Sequence, residues 1–206
     1  MSFLKYFSSL AHYYCRIKRR PAWGTCAGLI FLAESANRTK QGGQDLIGGL
    51  DVRVNRNHFG RQTESFVTDL DLPFLNDGDG PGQPFQGIFI RAPIVERILP
   101  TVVGEQVEES KLENTVIAPS RTTQDPHALK NVNATVEIMA RLPDRTTRLP
   151  AEASKLMLDP EAGDIIAVKQ GNVFGTSFHP ELTQDSRIHV WWLQQVAQSV
   201  LDRQKG

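Results

Sequence analysis

The stretch Ala22-Trp23-Gly24-Thr25-Cys26-Ala27-Gly28-Leu29-Ile30-Phe31 decides how the chain is read. Its centre is G-x-C-x-G, the form of a nucleophile elbow with a thiol in place of the usual hydroxyl. In such an elbow the nucleophile sits on a strained turn between a strand and a helix. A Cβ on either flanking glycine is expected to collide with backbone crossing beside it. The apolar run Leu29-Ile30-Phe31-Leu32 suits a buried helix beginning just after Cys26. A cysteine there feels the positive end of the helix dipole, so its pKa is expected to fall and its thiolate fraction to rise. A small buried cysteine after a turn would give the same pattern, and short motifs match by chance.

A second stretch bears on the choice. Gly175-Thr176-Ser177-Phe178-His179-Pro180-Glu181 stands near the C-terminus. A thiol nucleophile needs a base, and histidine is the usual one. The base needs an orienting acceptor, which Glu181 supplies two residues on. In an extended segment residues i and i+2 point the same way, so both side chains are expected to face one cleft. Pro180 between them fixes φ and discourages helix. His179 lies 153 residues after Cys26, which is no obstacle, because members of a triad meet in space.

Together the two stretches resemble the class I (triad) glutamine amidotransferases. Further blocks narrow the resemblance: Gly48-Gly49-Leu50-Asp51-Val52, Arg56-Asn57-His58-Phe59-Gly60-Arg61-Gln62-Thr63-Glu64-Ser65-Phe66, Phe89-Ile90-Arg91-Ala92-Pro93 and Val168-Lys169-Gln170-Gly171-Asn172 follow in the same order. This set is similar to the glutaminase subunits of pyridoxal 5'-phosphate synthases. The N-x-F-G-R-Q-x-x-S-F block is its most specific part, and it speaks against a triad glutaminase serving another acceptor pathway.

The resemblance implies a three-layer, flavodoxin-like α/β domain and a glutaminase that hydrolyses L-glutamine to glutamate and ammonia. Cys26 would be the nucleophile, His179 the base and Glu181 its orienting acid. The backbone N–H of Ala27 would be an oxyanion donor. The family's glutamine-contacting positions fall on Arg56, Ile90 and Arg91. An arginine beside a carboxylate is chemically sensible there, although Arg56 and Arg91 would also suit strand-end salt bridges. The ammonia would pass to a partner synthase subunit in a hetero-oligomer. No cofactor is implied. A second reading is a catalytically weak chain that only binds or regulates that partner.

The chain departs from the family in front of the elbow. Members normally carry strands, a helix and a Gly-Gly-Glu-Ser type loop there, and the loop supplies the other oxyanion donor. Before Cys26 this chain has one glycine, Gly24. An N-terminally truncated domain, with its front missing or replaced by Met1 to Arg20, is therefore expected, and with it poor glutamine hydrolysis.

Composition sets outer bounds. At 206 residues the chain fits one domain of ordinary size. Lys+Arg and Asp+Glu both number 23, so zero net charge gives no electrostatic reason to propose nucleic acid or an anionic membrane surface. No apolar run approaches the ~20 residues of a membrane span. The two cysteines, Cys15 and Cys26, and the lack of a secretory leader point to free thiols in a reducing, cytoplasmic setting. No cysteine–histidine cluster has metal-ligand spacing.

Residues 1–20 read as an atypical helical segment: Phe3, Phe7, Leu10 and Tyr14 recur at helical spacing before the basic run Arg16 to Arg20. A surface helix and a targeting presequence both fit. Residues 21–206 form the glutaminase domain. A strand is expected over Pro21 to Thr25 and a helix to about Ser35. Strands follow over Leu50 to Asn55, Ser65 to Leu70, Phe85 to Ile90, Thr135 to Ala140, Asp164 to Lys169 and Val173 to Phe178. Gln170-Gly171-Asn172 reads as a hairpin turn. Polar stretches near 97–133 and 142–163 read as surface insertions. A closing helix is expected over Asp185 to Arg203, with Ile188, Trp191, Trp192, Val196 and Val200 on its apolar side.

Overall fold

The computed structural model of the chain describes residues 19–37, 44–56, 65–76, 82–102, 104–119, 125–142 and 163–205. The expectations for residues 1–18 and for most of the stretch 142–163 lie outside these, as does Cys15.

Strand β1 (Ala22–Thr25) leads through Cys26 into helix α1 (Ala27–Leu32), which ends earlier than its sequence predicts. Ala33 turns extended, and strand β2 (Ala33–Asn37) takes the residues expected to complete the helix. Tertiary pairing overrides local preference here. β2 runs parallel to β3 (Leu50–Asn55), and its buried polar side chains find partners. Glu34 accepts the Gly49 N–H at 2.7 Å, and Ser35 donates to Glu109 at 2.7 Å.

Strands β4 (Ser65–Leu70) and β5 (Phe85–Ile90) form a separate antiparallel pair. β6 (Ile94–Ile98), which the sequence reading did not separate from its polar neighbours, pairs with β3 and β9. The stretch near 97–133 contributes α2 (Val107–Ser110), β7 (Thr115–Ile117) against β2, and α3 (Pro126–Val132). The Asp125 side chain caps α3 by accepting the Ala128 N–H. β8 (Val136–Arg141), β9 (Ile165–Gln170) and β10 (Val173–Thr176) complete the sheet, and α4 (Arg187–Lys205) closes the chain. β9 and β10 are antiparallel with Gln170 opposite Val173, so Gly171-Asn172 is the two-residue turn read from the sequence. Gly171 takes φ +57°, the left-handed conformation such turns demand.

The main sheet runs β1-β10-β9-β6-β3-β2-β7, with β8 also on β9. It is mixed: β1 is parallel to β10 and β2 to β3, and the other pairings are antiparallel. Neighbouring residues of β10 serve opposite faces. Val173 packs with Leu29 and Leu32 of α1 and with Val52, Val95 and Val168. Phe174 packs with Trp23, Phe85, Phe89, Trp191 and Trp192. Helix α1 thus covers one face, while α4 and the β4–β5 pair cover the other, which gives the α/β layering expected. On α4, Ile188, Trp191 and Trp192 join this core. Val200, expected on the apolar side, is instead exposed.

Candidate active site

The parallel register of β1 and β10 places Trp23 beside Phe174, Gly24 beside Gly175 and Thr25 beside Thr176. Two chain segments therefore leave the sheet side by side at their carboxyl ends. One leads into Cys26, the other through Ser177 and Phe178 to His179. Cys26 adopts φ 48° and ψ −105°, the strained turn expected of an elbow, and its N–H donates to Thr176 O at 2.8 Å. The two glycines of the motif differ. A Cβ on Gly24 would meet Gly28 O at 2.5 Å and Leu32 Cδ1 at 2.7 Å, so the turn into α1 requires a bare backbone there. A Cβ on Gly28 would meet nothing within 4 Å. The expectation that both glycines avoid a collision therefore fails for Gly28, because the crossing backbone is Gly28's own and its Cβ direction faces open space.

His179 is partly buried and Glu181 is half exposed. The residues between them do not continue as an extended segment. Pro180–Leu182 form a 3-10 turn, held by the Thr183 hydroxyl donating to Pro180 O at 3.0 Å. The tight turn nevertheless brings Glu181 Oε1 to 2.7 Å from His179 Nδ1. An ionised carboxylate only accepts, so the chemistry assigns the proton to Nδ1 and leaves Nε2 as the basic nitrogen.

Strand β5 touches both segments. The His179 N–H donates to Ile88 O at 2.8 Å, and the Cys26 thiol donates to Ile90 O at 3.9 Å. Residues two apart on a strand are separated by roughly 6.5 Å, so this strand brings the Cys26 thiol and the His179 backbone to neighbouring points along it. The next residue, Arg91, is exposed and takes φ 46°, unusual for a side chain of its size. Ile90 and Arg91 thus lie at the same end of β5 that faces Cys26.

Burial pushes the Cys26 thiol above its ordinary pKa. The Ala27 N–H, hydrogen-bonded to it, opposes this, as does the more distant Arg91 cation. The Glu181 carboxylate adds to the rise. The expected depression by the helix dipole is overturned, because α1 is only six residues long and desolvation outweighs its single N–H. Burial therefore favours the protonated form of the Cys26 thiol.

Arg56 follows the second parallel pair, just past β3. Its N–H donates to Asn37 Oδ1 at 2.7 Å, and its Nη2 donates to Gln44 O at 3.1 Å. Among the described residues its Nε is buried with no hydrogen-bond partner. Burial lowers the pKa of this guanidinium, although a guanidinium remains charged at neutral pH.

The sequence model of the SNO glutamine amidotransferase family matches residues 4–124 and 119–198. The chain belongs to that family. Among its curated relatives is the probable pyridoxal 5'-phosphate synthase subunit PDX2 of Arabidopsis thaliana, 37% identical over 180 residues, which are 85% of this chain and 57% of the relative. The pyridoxal 5'-phosphate synthase subunit PdxT of Nocardia farcinica is 37% identical over 169 residues, 82% of this chain and 51% of the relative. A crystal structure of a glutamine amidotransferase superposes with a TM-score of 0.51 at 30% identity, covering 86% of this chain and 61% of that one. The chain spans little more than half the length of these relatives.

As a glutamine amidotransferase fold, the domain carries the residues singled out from sequence just past the ends of β1 and β10, at the end of β5 and just past β3. The sequence reading missed Thr176, whose carbonyl holds the elbow, and Trp23, whose ring N–H donates to the Thr176 hydroxyl at 3.2 Å. Only the register of β1 against β10 reveals them, and nothing in either motif announces that register. No described helix is long and apolar enough to cross a membrane.

Proposed function

We propose that the chain is a cytoplasmic glutaminase that hydrolyses L-glutamine through Cys26, His179 and Glu181 and passes the ammonia to a partner synthase subunit making pyridoxal 5'-phosphate. The observation that carries this reading is the sharing of β5: Ile88 takes the His179 N–H and Ile90 takes the Cys26 thiol. A nucleophile on a strained elbow beside a carboxylate-oriented imidazole suits acyl transfer through a thioester. The names of the relatives point to the synthase as partner.

In this reading the Cys26 sulfur attacks the side-chain amide carbon of glutamine. Because burial disfavours the thiolate, His179 Nε2 takes the thiol proton during the attack rather than before it. The Ala27 N–H, which rests on the sulfur, turns to the new oxyanion. Collapse breaks the C–N bond, and the imidazolium protonates the departing ammonia. Water then attacks the thioester, its proton goes to Nε2, and the sulfur leaves. Glu181 holds the ring and offsets its charge throughout. Arg56 and Arg91 supply cations for the α-carboxylate beside Ile90. Residues 21–206 act as the glutaminase domain, and the stretch near 97–133, read from sequence as a surface insertion, contributes β7 to its sheet and the buried Glu109.

A second reading, a catalytically weak chain that binds or regulates the synthase, draws on the raised thiol, which the Ala27 N–H only partly offsets. Glutamine turnover, measured with and without the synthase subunit, separates the two. Ammonia release that depends on the synthase supports the glutaminase. Tight binding of the synthase with no ammonia under either condition supports the regulator.

A further inference from the structure

We infer that Thr176 is a positioning residue that fixes the base segment against the nucleophile strand through its hydroxyl. The inference rests on the glutaminase reading for its rates, but not for its geometry. Thr176 is fully buried at the last position of β10, where the paths to Cys26 and His179 diverge. It makes three connections. Its carbonyl accepts the Cys26 N–H at 2.8 Å. Its hydroxyl oxygen accepts the Trp23 indole N–H at 3.2 Å. The hydroxyl itself points to Phe178 O at 3.5 Å, one residue before His179.

These contacts have a direction. An indole nitrogen only donates, so the Thr176 oxygen is committed to accepting on that side and its own proton is turned to the Phe178 carbonyl. Trp23 is in turn held by rings on several sides: Phe174 at 5.4 Å, His189 at 5.4 Å and Trp192 at 5.9 Å between centroids. The order of control runs from the aromatic cluster to Trp23, to the Thr176 hydroxyl, to the Phe178 peptide and so to His179. The backbone bond to Cys26 needs no particular side chain, whereas the link toward His179 needs a hydroxyl. A valine at 176 has nearly the same volume and keeps the strand packing, but it severs that link.

The test uses the full chain with its synthase subunit and compares wild type with Thr176→Val, Thr176→Ser and Trp23→Phe. Small misplacement of a catalytic group costs up to about a hundredfold in rate, so kcat for glutamine should fall roughly ten- to a hundredfold in Thr176→Val. KM should stay within about twofold, because Arg56 and Arg91 lie on other elements. Thr176→Ser should restore most of the loss. Trp23→Phe should act in the same direction, and combining it with Thr176→Val should add little.

A second readout does not require turnover. Alkylation of Cys26 by iodoacetamide requires loss of the thiol proton, and a base in place accepts it as the sulfur attacks, so a displaced base should slow the reaction about fivefold at neutral pH and leave it unchanged well above the thiol's titration. Wild type that fails to hydrolyse glutamine, together with a displaced alkylation profile in Thr176→Val, would reject the glutaminase reading and keep the positioning role. An alkylation profile in Thr176→Val that overlays wild type would overturn the inference, and so would a serine variant no better than the valine.

Discussion

The sheet has two parallel junctions, and each places a functional candidate just past its strands. At β1 and β10, Cys26 leaves with its N–H held by a neighbouring backbone carbonyl, Thr176 O. At β2 and β3, Arg56 leaves with its N–H held by a neighbouring side chain, Asn37 Oδ1. What binds each junction together also differs. The first is packed by rings: Trp23, Phe174, Trp191 and Trp192. The second is tied by charge. Ser35 and Arg53 stand opposite each other in register, and both bond to the buried Glu109 carboxylate from α2, at 2.7 and 2.9 Å. Arg97 adds a further bond to the same carboxylate. Arg53 also reaches Glu96 at 2.8 Å. The fold thus places the proposed chemistry on an apolar junction and the proposed carboxylate site on a polar one.

The largest expected effect breaks the first junction chemically. Cys26→Ala should abolish glutamine hydrolysis, while Cys15→Ala leaves it nearly intact; equal losses would mean that the nucleophile is misassigned. In the wild type, burial favours the protonated thiol, so iodoacetamide labelling of Cys26 should be slow at neutral pH and climb at pH values above those at which an exposed thiol titrates. Labelling that is already maximal at pH 7 would contradict this preference for the protonated thiol.

Next comes the charged junction. Glu109→Ala removes the one carboxylate shared by Arg53, Arg97 and Ser35. Breaking a buried ion pair by deleting one partner costs about 3–5 kcal/mol. The lower end applies here, because Arg53 keeps Glu96 and Arg97 is half exposed. Denaturant unfolding should record this loss. A change below about 1 kcal/mol would mean that the cluster acts as a surface ion pair and binds nothing together.

Gly24→Ala should cost less, about 1–3 kcal/mol, from overpacking against the α1 backbone. Gly28→Ala should cost almost nothing by the same measurement. The contrast is the sharp part: two glycines that a motif treats alike should differ in stability, and matched losses would refute the open space beside Gly28.

These cases show which parts of the molecule were legible beforehand. The elbow and the His179–Glu181 pair could be read because each is local, a few residues whose types suffice. The alternating strands and the Gly171-Asn172 turn were legible for the same reason. The early end of α1 was not, since Ala33 to Ala36 carry no helix breaker and only pairing with β3 makes them a strand. Glu109 lies in a polar stretch that looks like solvent-facing chain, and its burial depends on arginines far away in sequence. The direction of the Cys26 shift was misjudged because a sequence reveals the helix start and conceals the desolvation around it. The β1–β10 register, and with it Thr176, depends on strands about 150 residues apart in the chain.

A smaller loss than that of Gly24→Ala is the most informative about whether the two junctions act independently. Asn37 accepts the Arg56 N–H through Oδ1 and donates through Nδ2 to Asn55 at 3.3 Å. Replacing it by alanine removes one good hydrogen bond and one weak one, worth about 1 kcal/mol in unfolding. The Arg56 backbone then loses its Asn37 anchor, and the guanidinium no longer has a fixed origin. If Arg56 receives the carboxylate of glutamine, KM should rise severalfold while kcat and the pH profile of Cys26 labelling stay as in wild type. Thr176→Val should do the reverse, lowering kcat and shifting the labelling profile with KM held. The two variants together should then show additive losses in kcat/KM, as expected for sites without shared partners. Should Asn37→Ala shift the labelling profile instead, the junctions are coupled through the sheet, and the division between a ring-packed chemical site and a charge-tied binding site would have to be abandoned.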